Sequence, residues 1–371
     1  MIDYLKKHIK QSENSYITYD EFISKALYDP EFGYYMKEKE KVGRQGDFIT
    51  SSNISDVFGK LFAQVFLKLI EQEKVKPYIC EIGGGNGRFA HAVLTECKKL
   101  SPTITKKLTY CMIESSPYHL SLQKSILPAT SVEFFQSLDE MRKQYRSFNG
   151  IIFSNELYDA FPVKVIEKRN NGLYEVMVGL NAGELLEEKT VPLTNSHIIR
   201  YLNEQQIDLS NGQRFEVPLA MVGHIEKMAG WVDKGIVFTI DYGYTHKEWM
   251  LPEHKKGSLR GYYQHNLQTD PLIHPGEMDL TTHIHFDSLI YYGDKAGLNF
   301  INKLRQDHFL LGVGILDYLQ DHHDPNPFSE VSKQNRALRS LIMDGSMSAA
   351  FHVIIQQKNV SVDWRSIIKN R

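Results

Sequence analysis

Cys80-Glu-Ile-Gly-Gly-Gly-Asn-Gly-Arg-Phe89 decides how this chain is read. Gly83, Gly85 and Gly87 alternate directly after the apolar approach Tyr78, Ile79, Cys80 and Ile82, and the helix-compatible run Arg88-Phe-Ala-His-Ala-Val-Leu94 follows. That order is strand, tight turn, helix. Glycine belongs in such a turn because the backbone takes unusual φ/ψ and because a ligand has to approach bare main chain. A turn of this kind opens a nucleotide site in a doubly wound α/β sheet.

Downstream the pattern repeats. Residues 108–114 read as a second strand, 117–126 as a helix with proline in its first turn, 131–135 as a third strand and 150–154 as a fourth. Strands alternating with helices imply a parallel sheet. Upstream, residues 1 to about 75 read as mainly helical. A capped helix at 19–27 stops before Pro30, a turn-rich stretch covers 33–50, and 55–71 is amphipathic, with Val57, Phe58, Leu61, Phe62, Val65, Phe66, Leu69 and Ile70 at 3–4 spacing.

Beyond residue 162 the alternation breaks. Residues 163–166 and 173–178 flank Arg169-Asn-Asn-Gly172 and predict a hairpin, and weakly periodic sequence continues to about 215. Residues 235–240 return to the parallel pattern and end in Asp241-Tyr242-Gly243. A long loop is expected over 244–282, a helix over 286–296, and closing strands at 298–306 and 349–356. The expected architecture is Rossmann-like α/β with a seven-stranded sheet. Its core is 76–162 and 231–358, preceded by a helical lid region, 1–75, and interrupted by a smaller inserted lobe, 163–230.

Composition bounds the function. The 371 residues carry 43 basic and 45 acidic side chains, with 42% hydrophobic and 24% charged content, an ordinary globular balance. Nothing in that balance argues for a nucleic-acid surface or a membrane-adhesive one. No segment approaches the ~20 apolar residues of a membrane span. Cys80, Cys97 and Cys111 suit neither a metal knuckle nor a disulfide framework and read as buried thiols. Met1-Ile-Asp-Tyr-Leu-Lys-Lys-His8 resembles neither a signal nor a transit peptide, so a reducing cytoplasm is the expected compartment.

The glycine turn alone does not name its ligand; a dinucleotide and a bare structural turn are both open. Glu81 sits two residues before Gly83, where an acid meets the cationic amino group of a methionine-like tail, whereas a pyrophosphate wants only N–H donors. Glu114 ends the second strand, where a carboxylate accepts ribose hydroxyls. A cofactor with an adenosine, a sulfonium and an amino acid fits both: S-adenosyl-L-methionine. Gln136-Ser137 after the third strand would edge the adenine. Ser154-Asn155-Glu156-Leu-Tyr158-Asp159-Ala-Phe-Pro162 follows the fourth strand and faces the reacting end; the bland alternative is a capped helix start with Asn155 as cap. His265, His274, His283 and His285 lie near Asp279, yet no metal-binding spacing is present, and no metal is expected.

In this order the residues resemble the MidA-like S-adenosylmethionine-dependent methyltransferases, a family that includes the mitochondrial complex I assembly arginine methyltransferase. The resemblance runs from about Ile17 to Gln356. It rests on Tyr34-Tyr35 after Asp29-Pro30, on Gly46-Asp47-Phe48-Ile49-Thr50-Ser51, on Glu81 to Gly87, and on Ile113-Glu114-Ser115-Ser116-Pro117. Asn155-Glu156 with Asp159-Ala160-Phe161-Pro162, Asp241-Tyr242-Gly243, Leu259-Arg260-Gly261-Tyr262 with His265, and Pro275-Gly276 with Asp279-Leu280-Thr281 and His283 complete it. Gly84 stands where the family often has proline, Phe161 where leucine is usual and His285 where an acid is frequent. The resemblance implies Asp47 and Thr50 in a lid over the cofactor, with Asn155 beside it. It also implies Tyr158, Arg260, Asp279 and His283 on the acceptor side.

The chemistry expected is in-line methyl transfer to a protein side chain. An arginine acceptor arrives charged, and a carboxylate pair, Glu156 and Asp159, would grip it bidentately and aim one nitrogen. Two other readings stay open: a non-catalytic assembly factor with this fold, and an NAD-dependent oxidoreductase. A protein partner is expected, nucleic acid and membrane insertion are not, and a homodimer is left open.

Overall fold

The computed structural model describes residues 1–39, 41, 55–170, 172–321, 326, 328–343 and 350–369. Its central sheet has the spatial order Asn299–Arg305, Phe351–Lys358, Val232–Tyr244, Phe148–Asn155, Tyr78–Ile82, Thr109–Ile113, Val132–Phe135. The last five run parallel to one another, and Phe351–Lys358 lies antiparallel between its two neighbours. An eighth strand among the described residues, Ile284–His285, pairs with Gly243 and Tyr244. Seven strands are legible in the sequence; the eighth is two residues long and carries no period. Gly243 admits it, because a Cβ there would sit 2.2 Å from the Ile284 carbonyl oxygen.

Alternation along the strands sorts the two faces. Ile79, Ile151 and Phe153 join Phe62, Phe66 and Phe89 on one face. Cys80, Ile82 and Ile152 join Met141, Met228 and Trp231 on the other. Helices Val57–Glu71, Arg88–Leu100 and Gln306–Val313 supply the first layer, and Leu138–Gln144 and Leu219–Trp231 the second. A mainly parallel sheet needs this double cover to bury both of its apolar faces. All three cysteines are buried free thiols.

Strand order reverses between Tyr78–Ile82 and its neighbour Phe148–Asn155. From the first the chain steps to Thr109–Ile113 and Val132–Phe135; from the second it steps the opposite way, to Val232–Tyr244. Such a switch opens a crevice beyond the carboxyl ends of the two strands. The glycine turn leaves one of them and the segment 155–162 leaves the other.

A second, antiparallel sheet takes the order Tyr16–Thr18, Gly172–Leu180, Lys164–Arg169, Arg214–Val217, with Leu186–Pro192 also on Gly172–Leu180. The expected hairpin is present, paired from Val165↔Val176 to Arg169↔Gly172. The N-terminal segment is not helical throughout: Ile17 pairs with Val178. Three residues with a partner so distant in the chain leave no local signal. Leu5, Tyr19, Phe22, Val165 and Val178 share one apolar cluster and hold the N-terminal helices against this sheet.

The segment 244–282 also departs from the expected loop. It holds a three-stranded antiparallel sheet, Asn266–Gln268, Arg260–Tyr263 and Asp279–Thr281. Strands of three or four residues are too short to show alternation. The tight turn between the first two uses Gln264 and His265 at φ of 50° and 64°, without the glycine or asparagine that marks such turns.

Candidate functional site

Gly83, Gly85 and Gly87 take φ of 74°, 51° and 81°, so the turn is built from left-handed positions that favour glycine. A Cβ on Gly85 would meet nothing within 4 Å: the turn presents bare main chain to open space. At Gly84 a Cβ would lie 2.2 Å from the Met112 Cε, the movable end of a flexible side chain. Glu81 is buried beside the turn and accepts the Tyr110 hydroxyl at 2.6 Å. Burial pushes its carboxyl up to about 7 against the opposing Tyr110 bond, and the nearby Glu114 adds to the rise.

Glu114 is also buried. It accepts the Gly85 N–H at 3.2 Å, the Ser116 N–H at 2.9 Å and the Gln123 amide at 3.4 Å. Burial pushes it up to about 7 while those donors pull the other way. Gln123, fully buried, also donates to the Gly85 carbonyl at 2.8 Å, so one side chain ties the turn to the strand-end acid. Sequence reading did not single out Gln123; its place four residues after His119, on the same face of the helix, was its only signal.

Two nominated residues stand at the start of the next helix. Ser137 caps the helix Leu138–Gln144 by accepting the Glu140 N–H at 3.2 Å, and the Gln136 N–H donates to the Glu140 carboxylate at 2.6 Å. Both side chains are exposed. The Ser-x-x-Glu spacing of a capping box was readable there and competes with an adenine contact. Asp47 and Thr50 lie outside the described residues.

Across the crevice, Asn155 donates to Glu156 at 3.0 Å and leaves its own Oδ1 without a partner. Glu156 sits at φ 53°, an uncommon conformation for a residue with a Cβ, and its N–H is held by the Ile240 carbonyl at 2.9 Å. Asp159 accepts the Tyr242 hydroxyl at 2.5 Å and the Thr281 hydroxyl at 3.0 Å through Oδ2, while its buried Oδ1 is unpaired. Asp241, fully buried at the end of Val232–Tyr244, accepts the Tyr158 N–H at 3.0 Å and the Tyr242 N–H at 2.9 Å. Burial first, then their mutual repulsion, raises Glu156 and Asp241 well above the carboxylate range, and burial raises Asp159.

Among the described residues, the donors reaching Glu156, Asp159 and Asp241 are neutral amides and hydroxyls. Three carboxylates crowded with neutral donors are compensated best by a cation from outside. Asp241 and Tyr242 were visible as a motif, but only the fold shows that they brace the Glu156–Asp159 loop.

The acceptor-side residues divide. Asp279 is buried and takes the Tyr35 hydroxyl at 2.8 Å, joining the acid group. Arg260 reaches His283 at 3.5 Å and lies over the Tyr262 ring, while burial and the Arg260 charge lower the His283 imidazole to about 3. Tyr158 is packed within an apolar cluster with its hydroxyl on His224 at 3.1 Å. His285, in the position where an acid is frequent, is buried and stacks on Trp249 at 4.5 Å, away from the acid group's hydrogen bonds. Among the described residues no cluster of three or more His, Cys, Asp or Glu could hold a metal ion.

The raised carboxyls give a pH dependence. Only ionised Glu81 attracts an ammonium group, and a carboxyl with a pKa of about 7 is roughly one-tenth ionised at pH 6 and nine-tenths ionised at pH 8. Calorimetric affinity for S-adenosyl-L-homocysteine is therefore expected to tighten about tenfold from pH 6 to pH 8. In Glu81→Gln the slope shrinks to the part Glu114 contributes. An unchanged slope in the variant removes Glu81 from the site.

The chain matches a family model of S-adenosyl-L-methionine-dependent methyltransferases over residues 57–303. It is similar to the mitochondrial protein arginine methyltransferase NDUFAF7 of Danio rerio, 26% identical over 84% of this chain and 76% of the relative. The Homo sapiens NDUFAF7 is likewise 26% identical, over 81% of this chain and 70% of the relative. Among solved structures, a superfamily member from Burkholderia thailandensis bound to S-adenosyl-homocysteine superposes with a TM-score of 0.86 at 25% identity, covering 97% of this chain and 92% of that one. The named relatives are mitochondrial proteins, which overturns the expectation of a cytoplasmic location. That expectation rested on the character of Met1–His8 and on unpaired cysteines, and thiols buried this deeply record their shielding rather than a compartment.

Proposed function

This chain belongs to the S-adenosyl-L-methionine-dependent methyltransferase family, and on that premise we propose that it methylates an arginine side chain of a protein acceptor. The observation that carries the reading is the acid group: Glu156, Asp159 and Asp241 have only neutral donors among the described residues, and Asp159 keeps a buried, unpaired Oδ1. A guanidinium supplies both the missing charge and donors in a planar fork. The relatives' names as protein arginine methyltransferases support the same choice of acceptor.

The cofactor end fits its ligand. Gly85 leaves open space over bare main chain, Glu81 offers a carboxylate for an amino cation, and Glu114 offers one for ribose hydroxyls. Bound S-adenosyl-L-methionine supplies an electrophilic methyl on a sulfonium. The protein's part is then to position the acceptor and shape the field. Glu156 and Asp159 hold the guanidinium and turn one nitrogen toward the crevice. That nitrogen loses a proton as it gains the methyl, and Asp159 Oδ1 is the unpaired carboxylate oxygen that receives it. Burial raises the Asp159 carboxyl, which makes it a better proton acceptor than an exposed aspartate.

The test is purified protein with tritiated S-adenosyl-L-methionine and lysate from a strain lacking it. A labelled protein band whose label maps to arginine is expected. Label on another residue type, or no label, overturns the reading.

A further inference from the structure

The pair Tyr34-Tyr35, part of the recognisable sequence pattern, has no part in the chemistry above. In the structure these residues form a short 3-10 turn, Tyr34–Met36, that bridges both ends of the crevice. The Tyr35 main-chain oxygen accepts the Ser116 hydroxyl at 2.6 Å, and Ser116 in turn donates its N–H to Glu114 at 2.9 Å. The Tyr35 hydroxyl donates to Asp279 Oδ1 at 2.8 Å, 244 positions along the chain. Its ring stacks on Tyr28 at 5.6 Å with planes 19° apart, and the Tyr28 hydroxyl donates to the Ala160 carbonyl at 2.9 Å, next to Asp159. Lys37 closes the same segment onto the Gly276 carbonyl at 2.7 Å.

We propose that Tyr35 is a positioning residue for the acceptor, holding the Asp279 carboxylate in register with the ribose-binding loop at Glu114–Ser116. The inference rests on the arginine reading above. A phenol is the donor this place needs. It fixes the orientation of a carboxylate without cancelling its charge, whereas lysine or arginine in its place would compete with a cationic acceptor. Burial, with Asp279 alongside, pushes the Tyr35 hydroxyl well upward, so it stays a donor across the neutral range. Because the main chain of the same residue is fastened beside Glu114, displacement of the cofactor-side loop moves Asp279 as well. The two substrates are thereby aligned through one residue.

The test measures Tyr35→Phe, Asp279→Asn and the double variant. The readouts are calorimetric affinity for S-adenosyl-L-homocysteine and tritium transfer as a function of deletion-strain lysate concentration. Tyr35→Phe is expected to raise the half-saturating lysate concentration about tenfold, with the limiting rate and the S-adenosyl-L-homocysteine affinity within about twofold of wild type. It should add little in the Asp279→Asn background, where the group that Tyr35 orients has lost the charge that attracts the acceptor. If Tyr35→Phe fails to fold, Asp279→Asn still tests the carboxylate that Tyr35 orients, with a rise of at least about tenfold expected. Additive effects, or an unchanged half-saturating concentration in either single variant, overturn the assignment while leaving the arginine reading intact. Wild-type protein that labels nothing overturns that reading instead.

Discussion

Replacing Glu156 by glutamine is expected to lower methyl transfer by on the order of 10³-fold while leaving S-adenosyl-L-homocysteine affinity within about twofold. The substitution keeps shape and removes one negative charge. Glu156 sits among Asp159, Asp241 and Asp279, so the lost charge is one the acid group applies to a cationic acceptor. It holds none of the main-chain contacts of the glycine turn, which is why the two readouts should separate. Stability should hardly change, because burial and repulsion already favour the uncharged carboxyl in the free protein and glutamine imitates that form. Single-turnover transfer beside calorimetry gives both numbers. A fully active Glu156→Gln protein sinks the assignment of this residue.

Gly85→Val acts at the other end. Gly85 has φ +51° and nothing within 4 Å of where a Cβ would stand. The added side chain therefore meets no protein atom and points into space that the cofactor has to enter. Affinity for S-adenosyl-L-homocysteine should weaken by at least on the order of 10², about 2.7 kcal/mol. Unfolding free energy should fall by only about 1–2 kcal/mol, the strain of a β-branched residue in the left-handed region. Gly83→Val and Gly87→Val differ instructively. There a Cβ meets Leu157 or Gln123 at 3.0–3.1 Å, so packing and binding suffer together. Undiminished binding by the Gly85 variant would refute the site.

The central sheet was legible because each strand is an apolar run closed by a turn residue or a capped helix, as Ser116 before Pro117–Ile126 shows. Glu81, Glu114, Glu156 and Asp159 were legible for a related reason: each stands at or just beyond the carboxyl end of a parallel strand. Direction was not legible. Tyr158 sits in the right loop but turns its ring into the core, against Phe161 of the same loop and His224 of the helix Leu219–Trp231. Gln136 and Ser137 follow the right strand but serve the next helix. Asp241 reads as an ordinary strand-end acid until its two oxygens are seen to hold the main chain of Tyr158 and Tyr242. Short strands such as Tyr16–Thr18 and Asp279–Thr281 exist only because distant partners are already in place.

A ribosome releases residues 16–18 long before residues 177–179 are made to receive them. The same delay affects the central sheet more severely. Phe351–Lys358, synthesised after both of its partners, seats itself between Val232–Tyr244 and Asn299–Arg305 rather than at an end. Until it arrives, Gly235-Ile-Val-Phe-Thr-Ile240 offers an apolar strand edge with its hydrogen bonds unmet. Newborn chains therefore pass through a sticky interval, and holding factors that shield strand edges should govern the yield of this protein more than its final stability does.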